Sequence, residues 1–212
     1  MTVADIIEDA KYGELAQLGI AKQLDSANEA EQTIAEKKVL SYLNLGLIEL
    51  YKRFALRTEE EVVVMSENIT LYTITSATFN SLYGVFNELG APYPVNDEDD
   101  LSSIMTPSYN VLQVPNPSEG GALYVLYNSA PDRIVWAADL TTLTVPIPPA
   151  LLEAMLHYIG YRAHGAQDGN VQAENNTHYM RFEASCKRAE EFGVITADAL
   201  VSDEKLEKRG WA

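Results

Sequence analysis

The sequence predicts an α+β chain: a helical bundle of three to four helices, an inserted small antiparallel β subdomain, and an extended C-terminal tail. Three observations carry this. Apolar residues recur at helical spacing early in the chain and again after residue 148, β-branched residues and turn signals fill the middle, and Gly193 ends the last periodic stretch. The parts are residues 1–58 (first part of the bundle), 59–146 (β subdomain), 147–193 (closing hairpin) and 194–212 (tail). At 212 residues and 47% hydrophobic content, the chain can build a substantial core.

A short helix is expected over residues 3–11 and a long one over residues 30–54. In the long helix Leu40, Leu43, Leu47, Leu50 and Phe54 alternate at steps of three and four, which puts them on one stripe. Ile48 and Tyr51 widen it, and a partner helix is needed to cover it. Strands are expected at 61–65, 69–75, 82–87, 109–114 and 122–127, joined by loops rich in Gly and Pro. Together they make one small sheet. Pro148 and Pro149 suit a helix start, because proline lacks an N–H that would be unpaired there anyway. Leu152, Met155, Leu156, Ile159 and Ala163 form the buried stripe that follows. The last helix is expected over residues 170–192, with Tyr179, Phe182, Ala189 and Phe192 inward.

Charge narrows the function. The net charge is −16, the reverse of the basic footprint that grips phosphates. Between Arg57 and Arg162 the only cation is Arg133, while carboxylates crowd the same stretch. The densest run, Asp97, Glu98, Asp99 and Asp100, fails as an EF-hand, because Leu101, Ser102 and Ser108 occupy its fifth, sixth and twelfth positions. An acidic face that repels an anionic polymer is the functional reading. Tyr72, Tyr83, Tyr93, Tyr109, Tyr124 and Tyr127 lack basic neighbours, so strand packing or a protein interface is expected of them before nucleic-acid stacking.

The sequence carries few signals of catalysis. No nucleophile elbow, Walker pattern or dinucleotide fingerprint occurs. Cys186 is the only cysteine and lies two helical turns from His178, too far for a dyad on that helix. Glu153, His157 and His164 could share a helix face as metal ligands would. They lack the second histidine of H-E-x-x-H, so an i,i+4 surface pair is expected and no metal or cofactor is assigned. The first residues carry no basic-then-apolar leader, and no run approaches the ~18 apolar residues of a membrane span.

Three stretches resemble the phage head–tail adaptor (connector, neck) family: VLSYLNLGLIELY at 39–51; PVNDEDD at 94–100 with TPSYNVLQVP at 106–115; and VPIPPALLEAMLHYIGYR at 145–162 with the helix after it. The resemblance implies a non-enzymatic virion protein. It implies a homo-oligomeric ring of about twelve copies at the neck, with the portal on one side, a tail or nozzle protein on the other, and DNA passing through unbound. A tail-completion or tail-terminator ring is the nearest alternative. An enzyme of unknown type and a small ligand- or sugar-binding module are the alternatives of other classes.

The tail pairs apolar residues with cations. Ile195, Leu200, Leu206, Arg209 and Trp211 are expected to dock on the portal, since tryptophan and arginine are enriched at interface hot spots. The Asp97–Asp100 run is expected to face the channel or its exit.

Overall fold

A computed structural model describes residues 1–165 and 172–191, with side chains described from Thr177 onward in the last helix. The chain mixes helix and antiparallel sheet and divides into two units. One comprises Met1–Phe54 and the described residues from Arg133 onward; the other is Ala55–Asp132.

The helical unit holds α1 (Val3–Tyr12), α2 (Gly19–Leu24), α3 (Glu29–Arg53), a 3-10 turn (Pro149–Leu151), α4 (Leu152–Gly165) and α5 (Gln172–Glu191). Thr2 and Asp5 close a reciprocal capping box on α1, the Thr2 side chain accepting from the Asp5 amide and the Asp5 carboxylate from the Thr2 amide. Asn28 caps α3. Glu29 and Glu31 at its start, with Lys52 and Arg53 at its end, complement the helix dipole.

Leu40, Leu43, Leu47, Leu50 and Phe54 are all buried, as their spacing predicts. Ile48 is not: it is 42% exposed. It follows Leu47 by one residue, ~100° around the helix, and so leaves the face that α4 covers. That contact is close. A Cβ at Gly46 would stand 2.6 Å from Met155 Sδ and 3.1 Å from Tyr158 Cδ1.

Helix α4 packs against α1, α3 and α5, so its buried surface exceeds one stripe. Met155, Ile159 and Ala163 are buried, but so are Ala154, Tyr158, Gly160 and His164, while Leu152 and Leu156 are half-buried. On α5, Phe182, Cys186 and Ala189 are buried. Tyr179, expected inward, is 43% exposed, its ring 5.1 Å from Tyr161 and 5.9 Å from Phe182. Phe192, Gly193 and the whole tail lie outside the described residues.

The β-like composition of the sequence extends to residue 146. In the structure the residues from Arg133 group with the helices, because polar side chains of α3 capture them. Asn44 Nδ2 donates to the Ile134 carbonyl at 2.9 Å while its Oδ1 accepts from the Ile134 amide at 2.9 Å, as a neighbouring strand would. Trp136 Nε1 donates to Glu36 and Tyr51 Oη to the Pro146 carbonyl. Further on, this strap pairs with the N-terminus, Val3 donating to Leu143 and Val145 to Met1.

The second unit contains two antiparallel sheets where one was expected. Its strands are β1 (Thr58–Val64), β2 (Leu71–Thr73), β3 (Phe79–Phe86), β4 (Pro92–Tyr93), β5 (Met105–Ser108), β6 (Val111–Gln113) and β7 (Ala122–Ser129). The orders are β1-β7-β3-β4 and β2-β6-β5. Strand β7 shows the period of two: Leu123, Val125, Tyr127 and Ser129 are buried, and the residues between them are half-buried. Met65, Tyr72, Ile74, Val85, Ile104, Leu112 and Val114 complete a core shared by both sheets.

Leu47→Ala should lower unfolding free energy by about 2–5 kcal/mol, since Leu47 is fully buried against the α4 side. Ile48→Ala, one residue on, should change it by no more than about 0.5 kcal/mol. Urea denaturation of both variants checks the pair. Equal losses would mean that the stripe is misplaced.

Candidate functional site

The marked features of the β unit are its charge and one face of its larger sheet. Residues 55–132 contain eleven Asp and Glu against a single cation, Arg57. Asp97, Glu98, Asp99 and Asp100 are all exposed, on the loop between β4 and β5. Local bonds shape that loop. Asp97 Oδ1 accepts from the Asp99 amide at 3.0 Å, and Asp100 Oδ1 accepts from the Ser102 amide and hydroxyl at 2.8 and 2.6 Å. The Ser102 donors hold the Asp100 carboxyl below its ordinary pKa, so it stays charged. The loop's base is pinned by Ser103, whose hydroxyl accepts from the Asp97 amide, and by Asn96, which bonds Thr106.

Two other acids of this unit are structural. Glu61 accepts from the Thr75 amide and hydroxyl and from the Ser76 amide. Burial opposes its ionisation, but these donors outweigh burial and its pKa is lowered. Glu59 accepts from the Thr78 and Tyr127 hydroxyls and pairs with Arg57, which also reaches Asp132 at 3.0 Å.

Part of the outer face of the larger sheet is apolar, bordered on β1 by the exposed Thr58 and Glu60. Val62 and Val64 are 49% and 64% exposed on the edge strand β1. Register places Val62 beside Tyr124, and Tyr124 beside Phe86, with Leu126 next along β7. The tyrosines do not form one platform. Tyr72 and Tyr127 are buried, bonded through their hydroxyls to Ser66 and Glu59, whereas Tyr109 is exposed.

In the helical unit His157 Nε2 lies 3.6 Å from Glu153 Oε1, an ion-pair distance rather than the surface hydrogen bond expected, because the His157 side chain is largely buried. The other nitrogen of His157 faces Glu14, in the turn after α1, and His178 of α5 reaches the same carboxylate. His164 stacks on His178 with ring centroids 4.5 Å apart, and its Nε2 lies 3.3 Å from the Glu14 carbonyl oxygen. Sequence spacing joined Glu153, His157 and His164. It missed Glu14 and His178, which no local signal connects to them. Burial lowers the pKa of His178 more than the Glu14 charge raises it.

Cys186 is buried in α5, and burial pushes its thiol up to about 11, which removes it as a nucleophile at neutral pH. Among the described residues no helix is long and apolar enough to cross a membrane.

These features describe an α+β chain whose marked surfaces are an exposed acidic loop and a partly apolar sheet face. The family model of the SU10 adaptor protein matches residues 1–199, and the chain belongs to that family of phage structural adaptors. It is therefore a virion component, one that works in contact with other virion proteins. Among curated proteins nothing matches the chain.

The lowered pKa of Glu61 makes the stability of the β unit pH-dependent in a stated sense. A depressed folded-state pKa contributes stability above the ordinary carboxylate value, and this is lost as pH falls through the folded value. Glu61→Gln should thus be less stable than wild type at pH 7, with the gap closing as pH falls below about 4. Urea titrations across that range test it; a gap that persists unchanged in acid would show that the charge is not the cause.

Proposed function

We propose that the chain is a head–tail adaptor of a tailed phage. Copies form a closed ring, of about twelve as the family resemblance implies, between the portal and a tail or nozzle protein, and DNA crosses its lumen without being held. The observation that carries this reading is the family match over residues 1–199. The charge supports it. A net charge of −16, concentrated in the β unit, makes DNA contact repulsive, and so keeps phosphates from stalling during ejection. The apolar band of Val62, Val64, Tyr124, Leu126 and Phe86 supports contact between subunits, because such patches on soluble proteins mark interaction sites.

In this reading Asp97, Glu98, Asp99 and Asp100 face the lumen or its exit. Replacing all four with Lys should leave particles assembled but slow DNA ejection, measured by dye release from triggered phage. Carboxylates located on the outer rim of a reconstructed neck, around a basic lumen, would refute the placement.

The tail residues Ile195, Leu200, Leu206, Arg209 and Trp211 are the proposed anchor to the portal. Deletion from Val194 leaves the buried residues of α5, Phe182, Cys186 and Ala189, in place. The truncated protein should therefore keep its melting temperature within a few degrees while losing co-sedimentation with portal rings. Unchanged co-sedimentation would assign attachment to another surface.

A further inference from the structure

All three histidines of this 212-residue chain gather around Glu14, two at its carboxylate and His164 at its backbone carbonyl. Glu14 Oε1 lies 3.1 Å from His157 Nδ1 and Glu14 Oε2 lies 2.7 Å from His178 Nδ1. The three donor atoms fall within 4.8 Å of one another. They come from three separate segments: the turn after α1, α4 and α5. We propose that Glu14, His157 and His178 form a binding site for one first-row transition-metal ion of the zinc class.

Four observations carry the assignment. The donor set, two imidazoles and a carboxylate, is the mixed nitrogen and oxygen set that zinc and its neighbours take. Adjacent donors around a tetrahedral zinc stand roughly 3.3 Å apart, from bond lengths near 2.0 Å, so a small opening of the present spacing admits an ion. Both Nδ1 atoms are shielded from solvent and lie within ion-pair distance of Glu14, yet neither contact has hydrogen-bond geometry. Each Nδ1 therefore keeps a position that a cation shared with Glu14 would occupy.

The third observation is the surrounding support. The far nitrogen of His157 faces Glu153 at 3.6 Å, beyond hydrogen-bond reach, and a small shift would complete the carboxylate–histidine–metal arrangement that fixes a ligand ring. His164 stacks on His178, which restrains the second ring. The fourth is Gly160. A Cβ there would come within 3.0 Å of both Glu14 Cβ and His178 Nδ1, so this glycine leaves the room in which the ligands meet. Beside the cluster a hollow is lined by Gln17, Glu14, His178 and Arg181. It gives access to the open coordination positions, and Arg181 favours an anionic ligand there.

The experiment uses the full chain, stripped of metal with a chelator and then titrated with Zn2+ by calorimetry and with Co2+ by visible absorption. Wild type should take up one ion per chain, with cobalt bands of low coordination number and a raised melting temperature. Glu14→Gln and His178→Gln should each weaken uptake at least ~10-fold. Circular dichroism verifies folding, and the nearly isosteric Glu14→Gln keeps the test open should His178→Gln unfold. Neutralising Asp97, Glu98, Asp99 and Asp100 together should leave uptake unchanged. Absence of saturable uptake by wild type overturns the proposal. So does affinity that survives Glu14→Gln, or that follows the acidic loop instead.

Discussion

The helical unit depends on α3 being used on two sides. Its apolar stripe is covered from the α4 side, with Gly46 giving Met155 and Tyr158 room to approach. Its polar residues do the second job. Asn44 offers Ile134 both a donor and an acceptor, satisfying backbone groups that would otherwise need a strand beside them. Glu36 and Tyr51 hold the same returning segment at Trp136 and Pro146. One helix thus fixes both the core and the path by which the chain re-enters it. At its end Arg53 bonds Glu183 and Glu190 of α5, at 2.6 and 2.8 Å. This ties the last described helix to the same element.

The β unit spends its charge in two ways. Glu59 and Glu61 are consumed by hydroxyl, amide and guanidinium donors and hold strands and turns together. The acids at 97–100 bond only their own loop, and project their charge outward. The division matters for the functional reading. Carboxylates committed to local donors cannot also define a surface potential as strongly as those left to solvent, and it is the exposed set that a passing polyanion would meet.

Much of this was legible in the residues. The spacing of Leu40, Leu43, Leu47, Leu50 and Phe54 gave α3 to within a residue at each end, and Ala122 to Tyr127 gave the central strand β7. The misses have physical causes. Helix α2 is six residues long and its N-terminus has no side-chain cap, so it leaves no start signal. Strands β4 and β5 are short edge strands carrying Pro92 and Pro107, residues that argue against strand when read locally. The strap after Arg133 has no periodicity, because side chains of α3 rather than a ladder hold it. The Glu14 cluster was illegible for another reason: its members are separated by up to some 160 positions, and only the packing of α1, α4 and α5 joins them.

The discontinuity of the helical unit has a consequence for its birth on the ribosome. Helix α3 is complete at Arg53, but α4, which covers its stripe, begins only at Leu152. At ~5–20 residues per second, the intervening chain takes roughly 5–20 s to emerge. For that interval α3 has only α1 and α2 to pack against, while the β unit, contiguous in sequence, can fold as soon as its own last strand appears. The order of synthesis thus completes the contiguous β unit before the discontinuous helical one.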